Sequence, residues 1–197
     1  MEAMTPIGQG GLFLLQFITG LIIFSLMLRF LLRASAADWR NPIVTFVAKV
    51  TNPLCAPLNK ILPARGRWDW AAIGTALIVQ ALFIVLIGVL TGKQFAVVFI
   101  VLGSMTEILN QLLDMLFWLI IIQVVLSWVS PGNNPNTAIF EQITQPILAP
   151  FRRYIPPIGG MDLSPIAAIV AIKLTQIVVV GSITQFIQPM AQLTTGS

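Results

Sequence analysis

Four long apolar runs alternate with two polar, proline-punctuated stretches along the chain. Apolar residues dominate from Leu12 to Leu32, from Trp70 to Leu90, from about Phe95 to Trp128 and from Pro165 to about Ile187. Each run reaches or exceeds the roughly 20 residues a helix needs to cross a bilayer. Gln94 to Met105 alone is too short to cross, and no proline divides it from Leu116 to Val129. One long third helix, bent at Gly103-Ser104, is therefore expected to project beyond the outer face or to tilt strongly. The expected fold is an all-α membrane protein with four transmembrane helices.

The polar stretches are copies of each other. Asn134-Pro135 falls on Asn41-Pro42 at an offset of 93, and the same offset pairs Thr144 with Thr51, Pro146 with Pro53, Pro150 with Pro57, Pro156 with Pro63, Gly159 with Gly66 and Asp162 with Asp69. Prolines so unevenly spaced do not align by chance in a chain rich in Leu, Ile, Val and Ala, so we read a tandem duplication. Residues 11–93 form the first repeat, with spans at about 12–33 and 70–90 and a loop at 34–69. Residues 104–188 form the second, with spans at about 106–129 and 165–187 and a loop at 130–164. Residues 94–104 extend the third helix outward. Both loops must then face one side, which makes the repeats parallel.

Each loop is expected to hold an amphipathic helix. Asn41 can cap a helix that starts at Pro42, where a missing N–H costs nothing. Ile43, Phe46, Val47, Val50 and Leu54 then recur at intervals of three and four, a stripe suited to the membrane interface or to the bundle. In the second copy Asn134 is the corresponding cap, and Ile139, Phe140, Ile143 and Ile147 keep the stripe. Pro53, Pro57 and Pro63 are expected to end regular helix and give a stiff, extended return path. Asp69 and Asp162 precede the next spans, where a carboxylate favours the positive end of a helix and can cap free N–H groups; binding a cation or a partner is the alternative.

Composition sharpens this picture. The chain is 57% hydrophobic and 9% charged, with a mean hydropathy of +0.91, too apolar for a soluble globule. Its net charge of +4 acts mainly on orientation, and no nucleic-acid binding is expected. Arg40, Lys49, Lys60, Arg65 and Arg67 lie in one loop and Arg152 and Arg153 in the other, against Lys93 in the outer segments. Cytoplasmic loops, both termini outside and an inner-membrane location follow. Met1 to Gly11 lacks the basic region of a secretory signal, so the first run is expected to stay as a helix. Arg29 and Arg33 share a face near its end, where the plain reading is snorkelling to headgroups and the alternative a lipid phosphate or an intramembrane ion pair. With no histidine and a single cysteine, Cys55, haem ligation through His, zinc sites, Ser-His-Asp triads and intrachain disulfides are excluded. No cofactor is expected. Cys55 corresponds to Leu148 and reads as a small apolar residue.

Two features carry candidate chemistry. Glu107, Asn110, Gln111 and Asp114 stand at i, i+3, i+4 and i+7 on one face of the third helix, where the first repeat has Leu14, Phe17, Ile18 and Leu21. Lys173 lies mid-span, where the first repeat has Gln80. A lone lysine at that depth costs roughly 2.5 to 3.5 kcal/mol, so it needs a partner. Asp114 is the candidate: at about 1.5 Å per residue it lies about 13 Å from the outer surface and Lys173 about 12 Å from the inner one. In a core about 30 Å thick a lysine side chain bridges the difference. A register-fixing pair, an ion or proton pathway and an intersubunit contact remain open.

With those residues in view, the chain resembles the YggT family of small membrane proteins and their plastid relatives, over about Leu12 to Ile187. The resemblance rests on Asn41-Pro42 with Lys49-Val50-Thr51-Asn52-Pro53, on Leu126-Ser127-Trp128-Val129-Ser130, and on Pro156 to Pro165 reading PPIGGMDLSP. The first copy departs at Ala64 to Asp69, so any site built on GG-x-D-x-SP belongs to the second half. The resemblance implies links to osmotic stress, potassium homeostasis, cell division, cytochrome assembly or nucleoid organisation, and brings no catalytic residues. The expected function is a noncatalytic platform or assembly and envelope-organising factor linked to osmotic stress tolerance. Its expected contacts are the bilayer, anionic lipid headgroups and an unidentified membrane or cytoplasmic protein, met through Arg65, Arg67, Arg152 and Arg153. The alternative is a small oligomeric transporter of potassium or protons, in which Glu107, Asn110, Gln111, Asp114 and Lys173 line the path. A membrane-embedded enzyme comes third, because no pair of carboxylates has spacing diagnostic of acid-base work.

Overall fold

Helix-forming apolar runs become helices throughout. The computed structural model describes residues 5–129, 135–155 and 162–192, and among them the sole extended pairing is an isolated bridge between Arg65 and Trp68. The elements are α1 (Pro6–Ala34), α2 (Pro42–Asn59), α3 (Trp70–Thr91), α4 (Val97–Val129), α5 (Pro135–Tyr154), α6 (Ser164–Thr175), a π turn (Gln176–Val180) and α7 (Gly181–Gln192). Helices α1, α3, α4 and the continuous run from Ser164 to Ala191 are long and apolar enough to cross a membrane. This is a multi-pass membrane protein.

Local chemistry sets the ends. Thr5 Oγ1 accepts from Gly8 N at the start of α1, with Pro6 in the first turn. Asn41 Oδ1 accepts from Ile43 N ahead of Pro42. Asp69 Oδ1 accepts from Ala72 N at the start of α3. Helix α3 ends at Gly92, whose φ of 67° lies in the left-handed region that favours glycine. Lys93 N then donates back to Gly88 O at 2.8 Å. A Cβ on Gly88 would stand 2.8 Å from the Lys93 carbonyl, so the return also needs glycine there.

The loop helices correct one expectation. Pro53 and Pro57 do not end α2, and Pro146 and Pro150 do not end α5; all four lie inside helices. In each pair the prolines are four apart and exposed. The carbonyls they leave without a donor therefore open on the outer side of the helix, and packing on the opposite side outweighs the helix-breaking cost. The apolar stripe of α2 divides between the bundle and the outer side. Val44, Val47, Thr51 and Cys55 face inward, while Ile43, Phe46, Val50 and Leu54 are exposed. The inward set includes a threonine whose hydroxyl donates within the helix, to Val47 O at 2.7 Å, and the rest of the apolar stripe is left on the outer side, as a helix at a membrane interface would present it. In α5, Ile139, Ile143, Thr144 and Leu148 are buried.

Packing follows the duplication. In the first repeat α3 lies against α1 and α2 against both; in the second, α6, the π turn and α7 lie against α4, and α5 against α4 and α6. Between repeats, α4 meets α3 extensively and α1 slightly, and α5 meets α1, whereas among the described residues α1 makes no contact with α6 or α7, nor α2 with α4. The halves are thus joined head to tail, not about a two-fold axis. Side chains of α1 to α4, with Ile139 and Ile143 of α5, build the main core, and Ile120, Leu148, Ala168 and Ile172 build a smaller one in the second repeat. Cys55 and Leu148, equivalent by the repeat, are both fully buried.

Candidate functional site

Two polar clusters stand out in the bundle. The first joins α1, α2 and α3 at the end carrying the loop helices. Arg29 is 6% exposed and Asp69 fully buried. Arg29 Nε donates to Asp69 Oδ2 at 2.9 Å, and its Nη1 lies 3.1 Å from Thr51 Oγ1 and 2.6 Å from Asn52 Oδ1. Arg33 Nη1 adds a contact of 3.7 Å to the same carboxylate oxygen. One guanidinium thus ties together three helices, since its rigid fork reaches several acceptors at once. Arg29 does not snorkel to headgroups, because a buried carboxylate meets it inside the fold. Asp69 caps α3 and holds this ion pair together, and the two roles use different oxygens.

The equivalent place in the second repeat is built differently. Ile122 stands where the repeat would put an arginine. Asp162 is held from the loop, with Arg152 Nε donating to its Oδ2 at 2.8 Å and Ser164 N to its Oδ1 at 2.9 Å. This pair is 38% exposed on both sides. Burial opposes ionisation of Asp162, but the nearby Ser164 hydroxyl and amide and the Arg152 guanidinium outweigh it and hold the carboxyl below its usual value. The buried Thr144 hydroxyl lies 2.7 Å from Gln123 Oε1, so a threonine–glutamine contact replaces the arginine clasp. Asn134 and the segment 156–161 of PPIGGMDLSP lie outside the described residues.

The second cluster lies between α4 and the last span. Lys173 Nζ donates to Asp114 Oδ1 at 3.3 Å and to Gln176 Oε1 at 2.8 Å, and it sits over the Phe117 ring, 4.3 Å from its centroid. Gln176 Nε2 donates to Asp114 Oδ1 at 2.8 Å and Asn110 Oδ1 at 3.0 Å. The four-residue stripe divides: Asn110 and Asp114 join Lys173, while Gln111 Nε2 donates to Glu107 Oε1 at 3.3 Å within α4. The charged pair is not sealed, with side chains 43% and 46% exposed. Gln111 and Asp114 also line an otherwise apolar cavity of about 500 Å³, walled by α1, α4 and α5 and touched by Ile43 of α2.

Arg65, Arg67, Arg152 and Arg153 are all exposed, with Arg152 engaged by Asp162. Arg65 and Trp68 pair through their backbones in a tight turn, and Arg33 Nε donates to Gly66 O at 3.4 Å. Burial pushes the Cys55 thiol up, against the opposing effect of Arg29. Among the described residues, no three acidic or cysteine side chains gather as a metal site would need. Sequence reasoning missed Thr51, Asn52, Gln123, Phe117 and Gln176. Gln176 and Phe117, each one helical turn from Lys173 or Asp114, were open to discovery from spacing.

The CCB3/YggT family model matches the chain twice, over residues 9–90 and 102–183, so the matches begin 93 residues apart. An uncharacterised protein of Pseudomonas aeruginosa is 34% identical over 183 residues, covering 91% of this chain and 93% of its own. An uncharacterised Vibrio alginolyticus protein encoded in the proC 3′ region is 37% identical over 164 residues, covering 82% and 88%. The uncharacterised protein YggT of Escherichia coli K12 is 34% identical over 154 residues, covering 78% and 80%. No solved structure matches the chain.

Proposed function

The chain belongs to the CCB3/YggT family, and on that premise we propose that it is a noncatalytic platform in the cytoplasmic membrane which organises envelope components and supports osmotic stress tolerance. The observation that carries this reading is the Arg29 clasp. An arginine buried at the junction of α1, α2 and α3 fixes the loop helix to two spans. A helix held that firmly displays its other face as a constant surface, here Ile43, Phe46, Val50 and Leu54. The exposed Arg65, Arg67, Arg152 and Arg153 complement it with charge suited to anionic headgroups or an acidic partner. The excess of basic residues in the two loops favours a cytoplasmic position for them and outer positions for both termini.

The test is complementation of cells lacking the protein after an osmotic upshift, with all four arginines changed to glutamate. Failure to restore growth by a variant present at normal level in the membrane supports the platform. Full restoration overturns it.

One observation favours a second reading, potassium or proton transport. Asp114 and Lys173 are partly exposed within segments long enough to span, and Asp114 opens onto a cavity. Flux into liposomes by the wild type that disappears in folded Asp114→Asn would establish transport. Equal flux in both, or none in the wild type, would reject this path.

A further inference from the structure

The junction between the repeats leaves a matching pair of surfaces unused at the two ends of the molecule. At that junction Ile84 of α3 reaches Gly103 of α4, where an added Cβ would stand 3.6 Å from Ile84 Cδ1. Shifting both residues by one repeat gives Gly10 of α1 and Ile177 of the last span. Gly10 has nothing within 4 Å of the place its Cβ would take, and Ile177 is 71% exposed. Small residues let helices approach closely in a membrane, where apolar side chains alone gain little by leaving lipid. The loop helices carry the same asymmetry. Ile139 and Ile143 of α5 are each 3% exposed and belong to the main core that joins the repeats, whereas their equivalents Phe46 and Val50 of α2 are 67% and 45% exposed.

We infer that copies of this chain associate head to tail in the membrane, repeating between molecules the junction that joins the two repeats within one. The last span of one copy packs its Ile177 on Gly10 of the next, and α2 of that next copy packs Phe46 and Val50 on α4 of the first. Such an interface is heterologous: each copy uses different surfaces for its two neighbours, so copies form a ring where the rotation closes and a row where it does not. The parallel repeats already supply an operator that keeps copies in the same orientation. The π turn at Gln176–Val180 has no counterpart in α3, so the two junctions share residues but not an identical backbone path. The inference concerns assembly: it places Phe46 and Val50 between copies and leaves the exposed loop arginines to the platform reading.

The experiment uses two differently tagged full-length chains, one Gly10→Cys and one Ile177→Cys, expressed together and treated in membranes with a short bis-maleimide. Cys55 stays in place because it is fully buried, and its failure to label reports that each variant is folded. A cross-linked pair of unlike chains, with neither chain linking to its own kind, is the expected result. Gly10→Cys and Ile177→Cys in one chain should give a ladder of multimers, and adding Phe46→Glu should shorten it. Links between like chains would indicate a two-fold interface and overturn the inference. Monomers alone, with lipid covering these faces, would also overturn it.

Discussion

Asp69→Asn isolates the charge of the buried clasp, because asparagine can still cap α3. The wild-type carboxylate is fully buried and meets Arg29 at 2.9 Å. Removing one partner of such a pair costs about 3 to 5 kcal/mol, since the other charge stays buried without compensation. Arg29 would keep Thr51 and Asn52 as neutral acceptors, which places the loss near the lower end, about 3 kcal/mol. That is a change of roughly 150-fold in the ratio of folded to unfolded protein. Asp69→Ala removes the cap as well and should cost about 1 kcal/mol more. The reference is Arg152→Met, which breaks a pair 38% exposed on each side and should cost only about 0.2 to 1 kcal/mol. The assay is denaturant titration in mixed micelles, followed by tryptophan fluorescence, with Trp68 and Trp70 beside the clasp among the five tryptophans. Equal midpoints for Asp69→Asn and Arg152→Met would refute the claim that burial separates the two sites.

Three further outcomes follow from the other contacts. Lys173→Met should lower stability, and adding Asp114→Leu should recover part of the loss, because the double change leaves no stranded charge; a double variant worse than Lys173→Met in the same titration would contradict this. Cys55 should resist maleimide in the native protein and react once denatured, since its thiol is buried and its pKa raised; rapid native labelling, read by mass, would refute it. The folded pKa of Asp162 is lowered, so its contribution is full above the unfolded value of about 3.9 and is lost as pH falls through the lower folded value. The small stability gap between wild type and Arg152→Met should therefore persist at pH 4 and close only below it.

Spans and repeats were legible because both are written in local terms. Apolar runs need only length, and a fixed offset of 93 needs only matching residues. The loop helices were harder to read. Proline signals a helix end from covalent geometry alone, yet α2 and α5 accept two prolines each because tertiary packing holds the opposite face. Arg29 looked like a snorkelling residue because its partner lies 40 positions away and no period links them. Asp114 and Lys173 could be paired from depth counted along two spans, but Phe117 and Gln176 enter that cluster through side-chain direction, which depth does not encode.

The clasp also has a consequence in time. Arg29 leaves the ribosome 40 residues before Asp69, an interval of about 2 to 8 s at roughly 5 to 20 residues per second. Throughout that interval the first span carries a guanidinium whose permanent counter-charge has not been synthesised. The charge must wait at the headgroups and move inward only when the second span begins to emerge. The two spans of the first repeat therefore mature as one unit, and a chain cut short before Asp69 leaves the Arg29 guanidinium without its carboxylate.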